Sequence, residues 1–184
     1  MSKDERENMN YSFKLAPMSA LILSLTIALW GLPFIFLLWA IFTAGSTQKA
    51  TIAIVLFLLV LYGIIWVGFR PSRFLLTENQ LTLIFPARQR SFPLEDLGEA
   101  QLLSEAEFRQ KFGWALRIGV GGLWGGFGWL YTGQKGMLEF YVSRSDGLVW
   151  VERRSGNDLL LTPNQPEHFI QALQELQILQ KNHS

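Results

Sequence analysis

The sequence predicts a membrane α-helical hairpin followed by a mainly-β domain, a bent antiparallel sheet or barrel of about seven strands closed by a C-terminal capping helix. Three observations carry that prediction. No Asp, Glu, Lys or Arg occurs between Lys14 and Lys49, and none between Lys49 and Arg70. After Arg70 the apolar residues fall into short runs separated by turn-forming residues. The last stretch of the chain then returns to a helical period.

The chain has 184 residues, enough for one ordinary domain beside an anchor. Charged residues make up 17%, below the roughly 25% usual for soluble domains, and the deficit is confined to the two uncharged runs. From Arg70 onward, Lys plus Arg balance Asp plus Glu, so this part lacks the basic field that nucleic acid requires. The absence of cysteine excludes disulfides, thiolate nucleophiles and thiolate metal sites.

Residues 1–16 read as a cytoplasmic tail, and its opening, MSKDERENMN, is short, mixed in charge and expected to be disordered. Residues 17–44 read as the first transmembrane helix. The uncharged run from Met18 to Thr43 is roughly 26 residues, where about 20 cross a hydrocarbon core. A signal peptide is the alternative, with Ala44, Gly45 and Ser46 as a cleavage site, but signal cores are only about 7 to 15 residues long. Pro33 is tolerated because neighbouring groups re-satisfy the freed backbone in membrane helices. Residues 49–69 read as the second transmembrane helix, reached through a tight turn. Lys3, Arg6 and Lys14 precede the first helix, Arg70, Arg73, Arg88 and Arg90 follow the second, and only Lys49 lies between. That asymmetry puts both termini on the cytoplasmic side of the inner membrane.

Residues 70–184 read as one water-facing domain. RFLLT, QLTLIF and RSFPL form a meander, and LEFYVS, GLVWVER and DLLLT a second antiparallel set with Gly and Asn at the turns. In QPEHFIQALQELQILQ, Pro166 suits a first helical position, and Phe169, Ile170, Leu173, Leu176 and Leu179 share a face. These elements supply apolar faces to one another, so a chain beginning near Arg73 is expected to fold without the two helices.

Several segments in this order, RFLLTENQLTLIF, SFPLEDL, RIGVGGLWGGFGWLYTG, FYVSRSDGLVWVERRSGNDLLLTP and NQPEHFIQAL, resemble bacterial pleckstrin-homology-like domains carried behind membrane helices. The resemblance covers about Arg70 to Leu176 and implies a PH-like fold. It departs from the family pattern at Gln165, a poor helix cap where an acidic residue is common. PH domains that bind inositol phosphates resemble one another in a basic cluster around the first hairpin; here that turn is Thr77-Glu78-Asn79-Gln80, so phosphoinositide binding is not supported.

The stretch from Ile118 to Thr132 holds six glycines and no charge. It lacks the Lys and Ser or Thr of a phosphate-cradling loop and is too short and glycine-rich for a third span. It is expected to be a loop joining two halves of the domain, with Trp124, Phe127, Trp129 and Tyr131 either in the interfacial layer of the membrane or packed inside. Arg88 with Arg90, and Arg153 with Arg154, stand at hairpin ends as a solvated edge or as contacts for anionic headgroups. Glu95 and Asp96 are expected at the exposed part of a turn, and His168 toward solvent. Two histidines are too few for a metal site or a histidine-based triad, and no cofactor is implied. The expected function is therefore a membrane-anchored, non-enzymatic PH-like interaction module at the cytoplasmic face, binding a protein segment or lipid. The alternative is an accessory or assembly subunit of a larger membrane complex.

Overall fold

The computed structural model describes residues 10–183, so the first nine residues of the expected tail lie outside the described residues. Ser19 caps the first helix, α1 (Ala20–Ile41), its hydroxyl accepting from the Ile22 N–H at 3.4 Å. The second helix, α2 (Gly45–Gly68), begins four residues earlier than expected. Gly45 adopts φ 68°, which reverses the chain at once and shortens the turn to Phe42–Ala44. Both helices are long and apolar enough to cross a membrane, and large side chains such as Leu21, Phe34, Ile41 and Phe57 stand exposed along them.

The first sheet is antiparallel in the order β1 (Tyr11–Lys14), β2 (Arg73–Leu76), β3 (Gln80–Ile84) and β4 (Gln89–Pro93). Its first strand corrects the expectation of a tail through residue 16. Tyr11, Phe13 and Leu15 alternate with polar residues, the strand period, and Phe13 pairs opposite Phe74 and is buried with Leu15.

A 3-10 turn over Leu94–Asp96 leads into β5 (Leu97–Leu103), α3 (Glu105–Phe112), β6 (Ala115–Gly121), β7 (Gly126–Thr132), β8 (Gly136–Val142), β9 (Leu148–Arg153) and β10 (Asp158–Leu161). These strands make a second sheet in the order β5-β9-β10-β8-β7-β6. The chain closes with α4 (Pro166–His183). The architecture is the expected helical pair, sheet-rich domain and terminal helix, with ten strands in two sheets among the described residues rather than about seven. Nor is the second set wholly antiparallel. The chain passes from β8 to β9 leaving a gap one strand wide, and β10 fills it, antiparallel to β9 and parallel to β8.

The glycine-rich stretch is the largest departure. It is a hairpin, β6–β7, in full register from Ala115 opposite Thr132 to Gly121 opposite Gly126. Glycine is required where the two backbones close on each other: a Cβ on Gly119, at φ 143°, would stand 2.4 Å from the Phe127 carbonyl oxygen.

The central strands β8, β9 and β10 of the second sheet are buried on both faces. One packs against the first sheet and α4 through Leu83, Val149, Leu161, Phe169 and Leu173. The other packs against α3 through Leu138, Phe140, Trp150 and Phe112. On α4, Phe169, Leu173 and Leu176 are buried, and the Gln177 amide donates to the Leu97 and Gly98 carbonyls, pinning the helix to β5. Tyr62 and Ile65 of α2 belong to the first core, with Phe13 and Leu15. A chain starting at Arg73 would fold without these four side chains of the core.

Candidate membrane-contact site

The β6–β7 turn, Gly122 to Gly125, leaves the sheet and lies against the two long helices. Trp124 sits at its apex with φ 58°, a left-handed backbone rare for a bulky residue, and is only 8% exposed. Its ring packs edge-on between Trp66 of α2, at 4.9 Å, and Trp30 of α1, at 6.1 Å; Trp30 in turn meets Tyr62 at 5.4 Å. The backbone is held as well. The Thr26 hydroxyl accepts from the Trp124 N–H at 3.0 Å and has the Gly122 and Ile22 carbonyls at 2.9 and 2.7 Å for its one proton. Thr26 lies six residues, about 9 Å, beyond the start of α1. The hairpin runs alongside that helix. Ala115 shares a cavity with Ser19 and Leu21, Gly121 shares the next with Leu29 and Leu32, and Arg117 and Gly122 line both.

The four aromatic candidates therefore divide. Trp124 is clamped by the helices, Phe127 is fully buried in the domain core, and Trp129 and Tyr131 are 41% and 43% exposed. Cross-strand pairing puts Trp129 opposite Ile118 and Tyr131 opposite Leu116, with Trp114 beside Tyr131 at 5.8 Å. These residues form an exposed apolar face across β6 and β7, with β6 at one edge of its sheet.

The arginines divide too. Arg88 and Arg90 border a cavity of about 310 Å³ together with Trp129, Tyr141 and the last turn of α2, Gly68 and Phe69. Arg90 pairs with Glu139 at 2.7 Å and donates to the Tyr141 hydroxyl at 3.3 Å, and Arg88 lies over the Phe85 ring at 4.7 Å. Burial, with the nearby Glu139 charge, pushes the Tyr141 phenol up. Arg153 faces inward instead: it pairs with Asp96 at 2.8 Å and lies over Phe92, while its neighbour Arg154 is exposed.

Asp96 corrects the expectation of an exposed turn carboxylate. It is buried and accepts from Arg153 and from the Ser155 N–H and hydroxyl, because the 3-10 turn points it at the β9–β10 loop. Burial raises its pKa, and the Ser155 and Arg153 hydrogen bonds outweigh that effect and hold the carboxyl below its ordinary range. His168 is exposed, its ring edge-on to Tyr11 and Phe13. Among the described residues no group of three or more His, Asp or Glu side chains gathers to hold a metal.

Sequence reasoning alone does not single out Thr26, Trp30, Tyr62, Trp66 or Glu139. A lone threonine two residues after Ser24 in an apolar helix, and one carboxylate inside the β-run MLEFYV, are the signals it offers.

Residues 72–177 match one known family, described as the bacterial PH domain, over more than half of the chain. No curated protein and no solved structure matches it. The chain belongs to the bacterial PH domain family.

Proposed function

We propose that this bacterial PH domain is a membrane-anchored, non-enzymatic interaction module, held at the cytoplasmic face of the inner membrane with both termini on that side. The observation that supports the reading is the clamp on Trp124. A domain on a flexible tether would leave its anchor free, whereas here two tryptophans and a buried threonine of the helices grip the tip of one hairpin, with Tyr62 bracing Trp30 behind them. Trp is favoured at the depth where a helix leaves the bilayer, which suits Trp66, two residues before the end of α2, with Trp124 packed against it.

In this reading the clamped hairpin presents its free edge to a partner. Every residue of β6 except Val120 is exposed, so its unpaired backbone groups and the apolar face of Leu116, Ile118, Trp129 and Tyr131 can accept an extended protein segment as an added strand. Site-specific photocrosslinking in native membranes tests it. A photoreactive residue at Ile118 should give a discrete adduct and one at Gln171, on the exposed side of α4, none; equal labelling at both, or none at Ile118, refutes the edge as the binding surface. Reporter fusions at residue 1 and after Ser184 should report the same compartment, and opposite signals would refute the hairpin anchor.

A further inference from the structure

We infer that the cavity between the end of α2 and the β3–β4 hairpin binds the phosphodiester of an anionic phospholipid. The inference rests on the membrane reading above and names a ligand for the arginine site. Four features converge. First, the cavity is bordered by Gly68 and Phe69, where α2 ends, which is headgroup depth for a helix that crosses a bilayer. Second, Arg90 is a built group and not a loose surface cation. Glu139, 3% exposed between Leu138 and Phe140, is costly to bury unpaired, and its ion pair fixes the Arg90 guanidinium beside the cavity. The bonds to Glu139 and Tyr141 use two of the five guanidinium N–H groups and leave three for a ligand.

Third, the charge balance selects the ligand. Glu139 neutralises Arg90, while Arg88, in no ion pair among the described residues, and Arg70, next to Phe69 and over the Trp66 ring at 4.5 Å, leave an excess of positive charge at this end of α2. That excess calls for a headgroup with net negative charge rather than a zwitterionic one. Fourth, Trp129 gives the rim an amphipathic ring suited to the glycerol and upper acyl region.

The test uses the full chain in detergent micelles doped with phosphatidylglycerol or phosphatidylcholine, with lipid retention read by native mass spectrometry. Phosphatidylglycerol should be retained over phosphatidylcholine, and retention should fall roughly fivefold with Arg88→Gln and again with Arg90→Gln. Arg88→Gln breaks no ion pair and keeps the test clear of folding, and Arg154→Gln should leave retention unchanged. Equal retention of the two lipids, or full retention by the Arg88→Gln and Arg90→Gln double variant, overturns the inference. So does inorganic phosphate at millimolar concentration displacing the lipid, since the site would then take free phosphate. Alkaline carbonate extraction of the native membranes separates the two levels. A chain that stays in the pellet but retains no phosphatidylglycerol defeats this site alone, and a chain released into the supernatant defeats the anchoring.

Discussion

The tip and the base of the β6–β7 hairpin both carry large aromatic residues, which meet opposite fates. At the tip, Trp124 is enclosed by Trp30 and Trp66; at the base, Trp114, Trp129 and Tyr131 stand out from the same ribbon. The glycines around Trp124 mark a turn but do not say which aromatic is covered. The difference lies in what the rest of the chain sets against each: two helices at one end, open space at the other. An aromatic residue in such a ribbon becomes structure or surface according to its cover, and each end can be tested accordingly.

The largest effect is expected at the tip. Trp124→Ala should cost about 3 to 5 kcal/mol, the range for truncating a buried aromatic, and should free the hairpin from the helices. Thermal unfolding of the full chain in detergent, with limited proteolysis between Gly121 and Gly126, measures both. An unchanged melting temperature would mean that the tip is no clamp.

Acid should loosen the domain but not the clamp, because none of Thr26, Trp30, Trp66, Gly122 or Trp124 titrates. The folded state holds the Asp96 pKa below its ordinary value of 3.8, so its contribution is present above that value and is lost as pH falls below it. Asp96→Asn leaves Arg153 buried without its counter-ion and should cost about 3 kcal/mol near neutrality. It should also flatten the acid limb of the stability profile. A variant whose stability below pH 4 falls as steeply as the parent's would remove Asp96 from that role.

A smaller effect is expected from Thr26→Val, which keeps the shape and removes the hydroxyl. It strands the Trp124 N–H and should cost about 1 to 3 kcal/mol, with faster amide exchange at Trp124 as the site-specific readout. The smallest is expected at the base: Trp129→Ser with Tyr131→Ser should stay within about 0.5 kcal/mol per residue while removing the photocrosslink at Ile118. A large loss of stability there would make the base part of the core and erase the contrast.

The division between the two ends also marks how far the sequence can be read. The helices are legible because two long charge-free runs leave little else for the backbone to form, and β2 to β4 because their apolar runs alternate with turn residues. The short helix α3 has a signal of its own, a capping box in which Ser104 and Glu107 exchange both hydrogen bonds. Glycine weakens strand propensity, so the residues of the β6–β7 hairpin point to a loop. Only the register shows that Gly119 faces Gly128 where a side chain would collide with backbone. The site is legible in part. Arg88, Arg90 and Trp129 each stand out in the sequence, but their meeting at the foot of α2 depends on long-range pairing that spacing cannot express. Whether Ser24 or Thr26 turns toward the domain is decided by a contact 96 residues away.

The hairpin's alignment with α1 bears on self-association through symmetry. Two copies in one bilayer are related by an axis along the membrane normal, so their β6 strands, advancing along α1 from Ala115 to Gly121, ascend in the same sense. Antiparallel union of two such edges needs an axis perpendicular to the strands, which would invert one molecule in the membrane. A bare strand edge is ordinarily guarded against its own kind by lysine, proline or a bulge. On the proposed anchoring, the orientation imposed by the bilayer supplies that guard against antiparallel pairing with a second copy, and the edge stays open to other chains.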